Sequence, residues 1–548
     1  MRKLSIALLA AACVFPFAAT AQDKPAGTPA APTPESQACE KLASLSLPHA
    51  KITAAQLVAA GAYSQEPVFK LVPAFCRIAI DSMPSADSDI KIEVWLPATG
   101  WNGKFQAQGN GGFAGSIGFD EMGISVMQGY ATAGTDTGHA ASFIDAHWAL
   151  DHPEKIADFG YRAIHEMTLA AKAAIHAYYT SAPRYSYFAS CSNGGRQALM
   201  EAQRFPQDYD GIIAGAPAND WTHLLTDAIW NAQALSFEAG SYIPASKLPA
   251  IAKAVNESCD RLDGVADGII NDPRRCHFDP AKMLCKSGDA DSCLTAPQVT
   301  ALEKLYQGAH DSHGNAIFPG YLPGAELGEN GWTPWILGER PGSSLLFMFG
   351  NNFFANMVFS KPDWTYKDAT IDSARTAADQ KMAALLNATN PNLSPFRAHG
   401  GKLIIYHGWN DPAIPAPSTV EYYENAVKAM GEQNFDSFAR LYMLPGVQHC
   451  GGGPGPEAFG SEAMLQKAPD NDARHNFLLA LEAWVEKGQA PSQIIASKFP
   501  GDDFTKPAAL TRPLCPYPAF AKYNGTGDPA DAANFSCVSL SNSAGEKK

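Results

Sequence analysis

The hydrophobic positions between residues 90 and 214 alternate between strand-like and helix-like patterns. Residues 90–96 alternate apolar and polar side chains, as a half-buried strand does, whereas residues 159–179 have helical spacing and many alanines. A second helix is predicted at 196–204. Further short runs predict strands at 104–108, 130–134, 185–189 and 211–214. Strands that alternate with helices are typical of a mostly parallel sheet with crossover helices.

This alternation stops in the middle of the chain and resumes near its end. Residues 220–397 carry aromatics, turn residues and cysteines without a regular pattern. Apolar strands are predicted again at 402–407 and 438–444, and a helix at 473–487. The sequence therefore predicts an α/β core that is split by a large insertion. We divide the mature chain into core, insertion and core at 38–219, 220–396 and 397–548.

The composition is that of an ordinary globular protein, with 548 residues, 46% hydrophobic and 18% charged. A chain of this length can bury a large core and has room for a second domain or a large insertion. The net charge of -14 argues against a nucleic-acid-binding surface, because such a surface needs clustered Lys and Arg. We therefore expect no nucleic-acid partner.

The N-terminus has the pattern of a secretory signal peptide. A positively charged start and an apolar stretch at 4–18 precede an A-x-A cleavage site at 19–21. The apolar stretch is too short for a transmembrane anchor, which needs about 18 or more apolar residues. We predict a signal peptide at 1–21, a Pro- and Ala-rich linker at 22–37, and a secreted or periplasmic protein without a membrane anchor.

The cysteines indicate disulfide bonds. Removal of the signal peptide would remove Cys13 and leave ten of the eleven cysteines, an even number in an exported protein. Free buried thiols are the alternative. The sequence does not determine the pairing, but short spacings favour the local pairs Cys259–Cys276, Cys285–Cys293 and Cys515–Cys537. Cys39–Cys76 and Cys191–Cys450 would then remain.

Ser192 lies where a strand, a sharp turn and a helix are predicted to follow one another. A serine hydroxyl is a weak nucleophile at neutral pH, so it needs a base and an orienting acid behind that base. Ser190 and Gly194 supply small residues two positions before and after it, as a nucleophile elbow requires. The usual G-x-S-x-G therefore reads S-x-S-x-G. An ordinary Ser-Gly turn is the alternative.

Asp411 and His449 are the candidates for the acid and the base. Each follows a predicted strand, and the chain order Ser, Asp, His is that of α/β-hydrolases. A turn-forming Asp-Pro is the alternative for Asp411. His407 lies inside a predicted strand, so we expect a structural role for it. If Ser192 and His449 are hydrogen-bonded, the cysteines beside them in sequence are close enough to form a disulfide.

The glycine-rich loop at 109–112 is a candidate for half of an oxyanion hole. An oxyanion needs two backbone N–H donors, and the residue after the nucleophile, Asn193, is expected to supply one. Gly111 or Gly112, in the loop after the strand at 104–108, is expected to supply the other. A flexible glycine turn without this role is the alternative.

Asp260, Asp263 and Asp267 place three carboxylates close together in a loop of the insertion that two cysteines flank. Closely spaced hard oxygen ligands suit Ca²⁺, although the spacing is not that of an EF-hand. The loop is far from the candidate triad in sequence, so we predict a structural rather than a catalytic ion. A solvated acidic turn is the alternative.

These motifs are similar to those of the tannase and feruloyl esterase family. The resemblance covers most of the mature chain, from about Cys39 to Cys537. It is carried by Cys191-Ser192, Asp411, His449-Cys450, Gly194-Gly195-Arg196-Gln197, Gly215-Ala216-Pro217-Ala218 and the loop at 259–269. Two positions depart from the family pattern: Ser190 replaces a common glycine, and Asn193 stands where Thr or Glu is frequent.

The resemblance implies an α/β-hydrolase core with a lid inserted after the nucleophile half. It implies the Cys191–Cys450 disulfide and the four other cysteine pairs given above. It further implies a lid Ca²⁺ bound by side chains of Asp260, Asp263 and Asp267 and by backbone carbonyls of Val265 and Ile269. The lid aromatics could stack on a phenolic acyl group or could equally form the lid core; they are Trp332, Trp335, Phe347 and Phe349.

The resemblance also implies a carboxylic ester hydrolase. We expect it to act on hydroxycinnamoyl, feruloyl-type esters, either small or attached to a plant polymer. Galloyl esters and mono(hydroxyethyl) terephthalate are the alternative substrates, and the family's ester preference disfavours a serine peptidase. The alternative from another class is a catalytically inactive secreted binding module, which the intact triad argues against. The oligomeric state cannot be read from the sequence.

Overall fold

A computed structural model describes residues 33–63, 67–460 and 471–539. The predicted signal peptide and most of the predicted linker lie outside the described residues. Helix α1 (Pro34–Lys41) begins within the residues that we assigned to the linker. Thr33 caps this helix, because its side chain accepts a hydrogen bond from the Ser36 backbone N–H.

A mixed sheet lies at the centre of the described structure. Its strands are β1 (Ala50–Val58), β2 (Phe75–Ser82), β3 (Ile90–Pro97), β4 (Lys104–Gln108), β5 (Ala131–Thr135), β6 (Tyr185–Cys191), β7 (Gly211–Gly215), β8 (Lys402–Gly408) and β9 (Ala439–Leu444). They lie in the order β1-β2-β3-β5-β4-β6-β7-β8-β9. The pairs from β1 to β5 are antiparallel, and those from β5 to β9 are parallel. The antiparallel extension by β1 and β2 was not predicted.

Helices cover both faces of this sheet and fill the insertion. They are α2 (Phe119–Met127), α3 (Pro153–Ala157), α4 (Ala163–Tyr179), α5 (Asn193–Arg204), α6 (Trp221–Ala234), α7 (Leu248–Cys259), α8 (Ala296–Gln307), α9 (Leu345–Asn352), α10 (Ile371–Leu386), α11 (Ser394–His399), α12 (Pro417–Met430), α13 (Glu432–Asp436) and α14 (Phe477–Lys487). The predicted helix at 473–487 begins later, at Phe477. Asn476 sets this start, because its side chain accepts hydrogen bonds from the Leu478 and Leu479 N–H groups.

The parallel strands are buried on both faces, which explains the continuous apolar runs within β7 and β8. Ile212 and Ile405 point into a core shared with α4, α5 and α12. Their neighbours Ile213 and Ile404 point into the opposite core, which α14 closes with Phe477, Leu481 and Trp484. Successive residues of a strand face opposite sides. The central sheet therefore lies between two helical layers, and its strand ends are held in place on both sides.

The segment between β7 and β8 contains helices and turns but, in its described residues, none of the strands of the central sheet. One hydrophobic cluster consists only of residues from this segment; it includes Leu302 of α8 and Trp332. Two disulfides, Cys259–Cys276 and Cys285–Cys293, cross-link this part of the chain. The arrangement agrees with an inserted lid, although the domain limits 220–396 stay a prediction.

Two small hairpins follow the core. Strands β10 (Ile494–Lys498) and β11 (Leu510–Leu514) pair antiparallel, as do β12 (Ala519–Tyr523) and β13 (Phe535–Ser539). The Cys515–Cys537 disulfide joins the two hairpins, and Cys39–Cys76 ties α1 to β2. In the described residues no helix is both long and apolar enough to span a membrane.

Candidate active site

Ser192 occupies a sharp turn between β6 and α5. Its backbone has φ 68° and ψ −124°, a conformation that is rare for a residue with a side chain and is typical of a nucleophile elbow. Small residues are needed around this turn: a Cβ on Gly194 would lie 1.9 Å from the Ser190 Oγ, and a Cβ on Gly195 would lie 2.2 Å from the Gly215 carbonyl oxygen. Ser190 fits this site, although a larger side chain would not.

Ser192, His449 and Asp411 form an unbroken chain of hydrogen bonds. The Ser192 Oγ lies 2.9 Å from the His449 Nε2, and the His449 Nδ1 lies 2.8 Å from the Asp411 Oδ2. The Asp411 side chain is fully buried, and that of His449 is 8% exposed. The three residues lie at the carboxyl ends of β6, β8 and β9. This geometry allows the imidazole to accept the serine proton while the carboxylate holds the other ring nitrogen.

Asp411 is held as an anion by its surroundings. Burial alone would raise the pKa of this carboxyl, but the imidazoles of His449 and His407 outweigh it and lower the pKa well below its usual range. The Oδ1 accepts hydrogen bonds from the Ala413 and Ile414 N–H groups at 2.8 and 2.9 Å. These contacts hold the Asp411 side chain in one position and keep its carboxylate ionised.

His407 is a residue of the site whose contact with Asp411 the sequence reasoning missed. Its Nε2 lies 3.1 Å from the Asp411 Oδ2 and 3.1 Å from the Ile414 carbonyl oxygen. Its Nδ1 lies 2.7 Å from the Thr419 Oγ1. The ring is completely buried. The spacing His-x-x-x-Asp at the end of a strand is the signal that could have indicated this contact.

A disulfide connects the nucleophile turn to the histidine loop. Cys191 and Cys450 are bonded, with Cα atoms 6.0 Å apart across a sequence separation of 259. Cys191 directly precedes Ser192, and Cys450 directly follows His449. The five disulfides of the structure are the pairs that the family resemblance implies. The bond restricts the separation of the two loops that carry the serine and the imidazole.

The candidate oxyanion residues lie beside Ser192. Gly111, Gly112 and Asn193 line the same cavity as the Ser192 hydroxyl. The Asn193 side chain is tied down, because it accepts a hydrogen bond from the Arg196 Nε at 2.8 Å and donates one to the Asn110 carbonyl at 3.2 Å. Its side chain is thus occupied within the protein. These residues therefore stay the candidates for the two backbone donors of an oxyanion hole.

A cavity of about 320 Å³ opens above the triad. Its floor contains Ser192, His449 and the Cys191–Cys450 disulfide. One wall is apolar and comes mainly from the insertion; its side chains are Trp221, Leu224, Leu225, Trp335, Leu346 and Phe349. The opposite end is polar and comes from the core. An apolar cavity of this size with a few polar groups is typical of a small-molecule site.

The four lid aromatics that we singled out lie in different places. Trp335 and Phe349 line the cavity with nearly parallel rings, 10° apart in plane. Trp332 does not line it, because the ring packs in the lid core against Tyr306 and Tyr321. Phe347 instead packs edge-on against Tyr366. Trp335 and Phe349 therefore stay candidates for substrate contact, whereas the packing of Trp332 and Phe347 agrees with the alternative of a lid core.

Trp335 also links the insertion to the histidine loop. Its ring lies edge-on to the His449 ring, with 5.0 Å between centroids. Its Nε1 donates a hydrogen bond to the Asn330 Oδ1 at 2.7 Å, and the Asn330 Nδ2 donates one to the His449 carbonyl at 3.1 Å. The lid thus supports the backbone of the base as well as one wall of the cavity.

The aspartate loop places its carboxylates on backbone N–H groups of its own turn. Asp260 accepts from Gly268, and Asp263 accepts from Val265. Asp267 accepts from Ile269, and its Oδ2 lies 2.6 Å from the Arg512 Nη2. Burial raises the pKa of Asp263 to about 6, and the negative charge of Asp267 adds to this increase. The ligand oxygens of Asp260, Asp263 and Asp267 do not all lie within 4.8 Å of one another, and Asp267 is already paired with Arg512. The calcium ion at this loop therefore stays a prediction.

A second group of side chains could hold a metal ion. In the described part of the chain, His165, Glu201 and Asp208 are the only such group whose ligand atoms all lie within 4.8 Å of one another. The His165 Nδ1 is 2.6 Å from the Asp208 Oδ2. Burial and the neighbouring Asp208 carboxylate raise the pKa of Glu201 well above its usual range. These contacts do not identify an ion.

Comparison with known proteins gives similarity along most of the chain. A family model for tannase and feruloyl esterase matches residues 76–538. An uncharacterized esterase of Xanthomonas campestris is 42% identical over 528 residues, which are 92% of this chain and 91% of the relative. Mono(2-hydroxyethyl) terephthalate hydrolase of Piscinibacter sakaiensis is 34% identical over 84% of this chain and 83% of its own. The crystal structure of feruloyl esterase B from Aspergillus oryzae matches with a TM-score of 0.83 at 29% identity, over 92% of this chain and all of that chain.

Proposed function

This chain belongs to the tannase and feruloyl esterase family, and we propose that it hydrolyses aromatic esters of the hydroxycinnamoyl, feruloyl type. It is a carboxylic ester hydrolase with the α/β-hydrolase fold. The observation that carries the proposal is the hydrogen-bond chain from Ser192 through His449 to Asp411 at the floor of a largely apolar cavity.

The proposed reaction has two acyl-transfer steps. The His449 Nε2 takes the proton of the Ser192 hydroxyl, and the Oγ attacks the ester carbonyl. The Asp411 carboxylate stabilises the resulting imidazolium through the Nδ1 proton. The imidazolium then protonates the alkoxide, which leaves as an alcohol and leaves an acyl-serine. Water, deprotonated by the same imidazole, releases the carboxylic acid and restores the serine.

The backbone N–H groups of Asn193 and of Gly111 or Gly112 are proposed to bind the carbonyl oxygen as it becomes negative. Two observations support this role: the residues line the cavity beside Ser192, and Asn193 begins helix α5, whose N-terminal end favours negative charge. Loss of one such donor typically lowers kcat by about 10²- to 10³-fold.

The aromatic part of the ester is proposed to lie against Trp335 and Phe349. Both rings line the cavity, and Trp335 touches the catalytic imidazole edge-on. Ring stacking supplies roughly 0.5–1.5 kcal/mol beyond the burial of area. A galloyl or terephthalate acyl group is a second candidate, because a relative that is 34% identical is a mono(2-hydroxyethyl) terephthalate hydrolase.

Two measurements test the function together. A fluorophosphonate probe should label the wild-type protein at Ser192 and leave Ser192→Ala unlabelled. Side-by-side kcat/KM values on methyl ferulate, methyl gallate and mono(2-hydroxyethyl) terephthalate should be highest for methyl ferulate. Absence of an adduct at Ser192 would support an inactive binding module instead. Negligible rates on all three esters, despite labelling, would overturn the aromatic-ester proposal.

We also propose a structural Ca²⁺ in the loop of the insertion. The side chains of Asp260, Asp263 and Asp267, with the carbonyls of Val265 and Ile269, would hold it. When bound, the ion neutralises the three carboxylates; burial and the nearby Asp267 charge raise the pKa values of Asp260 and Asp263. The ion has no part in the proposed reaction. The five disulfides further support a secreted or periplasmic location, because such bonds persist in oxidising compartments.

A further inference from the structure

The polar end of the active-site cavity contains a carboxylate that the proposed reaction does not use. Glu121 lies in the first turn of α2 and lines the cavity together with Gln108, Asn110 and Ser116. It is half-buried. Among the described residues that line the cavity, Glu121 is the only acidic one, and none is Lys or Arg. No cationic side chain of the lining pairs with this carboxyl, and burial raises its pKa.

The amide groups beside Glu121 are already committed to the protein. The Gln108 Nε2 donates to the Ser125 Oγ at 2.8 Å, and the Asn110 Nδ2 donates to the Thr135 carbonyl at 2.8 Å. The Ser125 hydroxyl in turn donates to the Glu121 backbone carbonyl at 3.0 Å. These bonds fix the wall and the start of α2. None of these bonds uses the Glu121 carboxylate, which lines the cavity.

The position of the carboxylate also has a local structural explanation. Glu121 is three residues after Gly118, which precedes the helix, and a Cβ on Gly118 would lie 2.6 Å from the Glu121 Oε2. An acidic residue in the first turn stabilises a helix, because the helix N-terminus carries partial positive charge. Asp120 shares this first turn, but it is exposed and does not line the cavity. It therefore offers a matched control for the helix effect.

Resting on the proposed function, we infer that Glu121 is a specificity-determining residue that accepts a hydrogen bond from a hydroxyl group of the ester and repels esters that carry a carboxylate. A carboxylate is an acceptor only, so its natural partners in a neutral ester are hydroxyl donors. A hydrogen bond to a charged group is stronger than one between neutral groups, so its loss is expected to be measurable. A second carboxylate brought into the same half-buried site would be destabilised by like-charge repulsion.

The hydroxyl group has two possible sources in such an ester, the phenolic ring of the acid or a sugar alcohol. We would measure kcat/KM of the wild type, Glu121→Gln and Asp120→Asn on three pairs of esters. The first pair is methyl ferulate and methyl 3,4-dimethoxycinnamate, which differ in the phenolic hydroxyl. The second is a feruloyl arabinose ester and methyl ferulate. The third is mono(2-hydroxyethyl) terephthalate and its uncharged bis(2-hydroxyethyl) ester.

The expected result is a change of ratio and not only of rate. Glu121→Gln should lower the preference for the hydroxylated member of the first or second pair by about tenfold or more. It should also raise the relative rate on the charged terephthalate, whereas Asp120→Asn should keep the wild-type ratios. A changed ratio in the first pair identifies the phenolic hydroxyl as the hydrogen-bond donor to Glu121. A changed ratio in the second pair identifies a sugar hydroxyl instead. Glu121→Ala serves as a second variant, with thermal unfolding to verify its fold.

If both Glu121→Gln and Asp120→Asn leave the ratios of all three pairs unchanged, the inference is wrong. The ester hydrolase function is unaffected by that result. Equal changes in both variants would overturn the inference as well, because they would assign the effect to the helix or to net charge. Failure of the wild type to cleave any of these esters would instead refute the proposed function, and the role of Glu121 with it.

Discussion

The strand ends of the core and the helical insertion build opposite sides of one cavity, and they fix their side chains differently. In the core, Asp411 receives hydrogen bonds from two imidazoles and two backbone N–H groups. In the insertion, Phe349 meets the cavity through ring contacts, and the Trp335 ring has one hydrogen bond. Directional bonds hold the reacting atoms, whereas less directional contacts shape the substrate wall. The core should therefore tolerate little change, and the lid should tolerate more.

Loss of the nucleophile is the most severe test of the core. Ser192→Ala should lower kcat/KM on methyl ferulate by about 10⁴-fold or more, because the covalent step is lost. Ser190→Gly is the matched control, since it restores the usual glycine at the elbow and should keep most of the activity. Circular dichroism verifies that both variants fold. More than a few per cent of activity in Ser192→Ala would show that another residue attacks the ester.

Removing one disulfide from the core and one from the insertion compares how much each bond adds to the free energy of unfolding. The chain-entropy model assigns more than about 4.7 kcal/mol of unfolding free energy to Cys191–Cys450, with its separation of 259, and less than about 3 kcal/mol to Cys285–Cys293, with its separation of 8. The double serine variant of the first pair should also lose activity in mild denaturant before global unfolding. Urea titration monitored by activity and by fluorescence gives both values. Full activity without the first bond would contradict the role we assign to it.

His407 tests whether the second imidazole positions Asp411. His407→Leu should lower kcat by about 10- to 100-fold with KM nearly unchanged, because a hydrogen bond to a buried carboxylate is lost. His407→Gln can still donate to the carboxylate and should recover part of kcat. A rise in KM with unchanged kcat would place the effect in substrate binding instead. Equal losses in both variants would indicate only disturbed packing.

Trp335 provides the corresponding test in the lid. Trp335→Ala should raise KM for methyl ferulate about two- to tenfold, because ring stacking against the acyl group is lost. The effect on kcat should be smaller than that of His407→Leu. Phe347→Ala is the control, since this lid aromatic packs against Tyr366 away from the cavity. An identical change in KM for both variants would show that lid stability, and not stacking, is responsible.

The calcium loop should give the smallest effect, on stability. Without an ion, the pKa of Asp263 is about 6 in the folded protein against 3.8 as its ordinary value. Because Asp263 binds a proton more tightly in the folded than in the unfolded protein, its protonation adds to the free energy of unfolding at low pH. This added stability is lost as the pH rises through 6. Added Ca²⁺ should therefore raise Tm, relative to chelator, by a few degrees at pH 7.5 and by less at pH 5. The same difference at both pH values would argue against binding by these carboxylates.

The core strands were predictable because their signals are local. The run at 402–407 is mostly apolar, the run at 104–108 alternates, and both are short; the structure places strands there with nearly the same limits. The chain order of Ser192, Asp411 and His449 at strand ends required no knowledge of the lid. The antiparallel strands β1 and β2 escaped prediction; β1 is an edge strand whose residues are mostly half-buried and follow no regular pattern.

The lid wall could not be predicted, since its contacts depend on how helices pack against one another. Trp332 and Trp335 are three residues apart, yet one is in the lid core and the other faces the cavity. The contact of His407 with Asp411 was also missed, because the strand pattern by itself indicates only a structural histidine and the signal lies in the His-x-x-x-Asp spacing at the end of β8. Glu121 was overlooked for a similar reason: its approach to the cavity depends on the direction of α2.

The separation of Ser192 and His449 by 257 residues has a consequence for the synthesis of the enzyme. The ribosome makes the nucleophile turn first, then the whole insertion, and only afterwards the loop with the base. A chain that ends prematurely anywhere before β9 therefore lacks the imidazole and cannot cleave an ester. Because the base arrives last, activity reports that synthesis has passed the insertion.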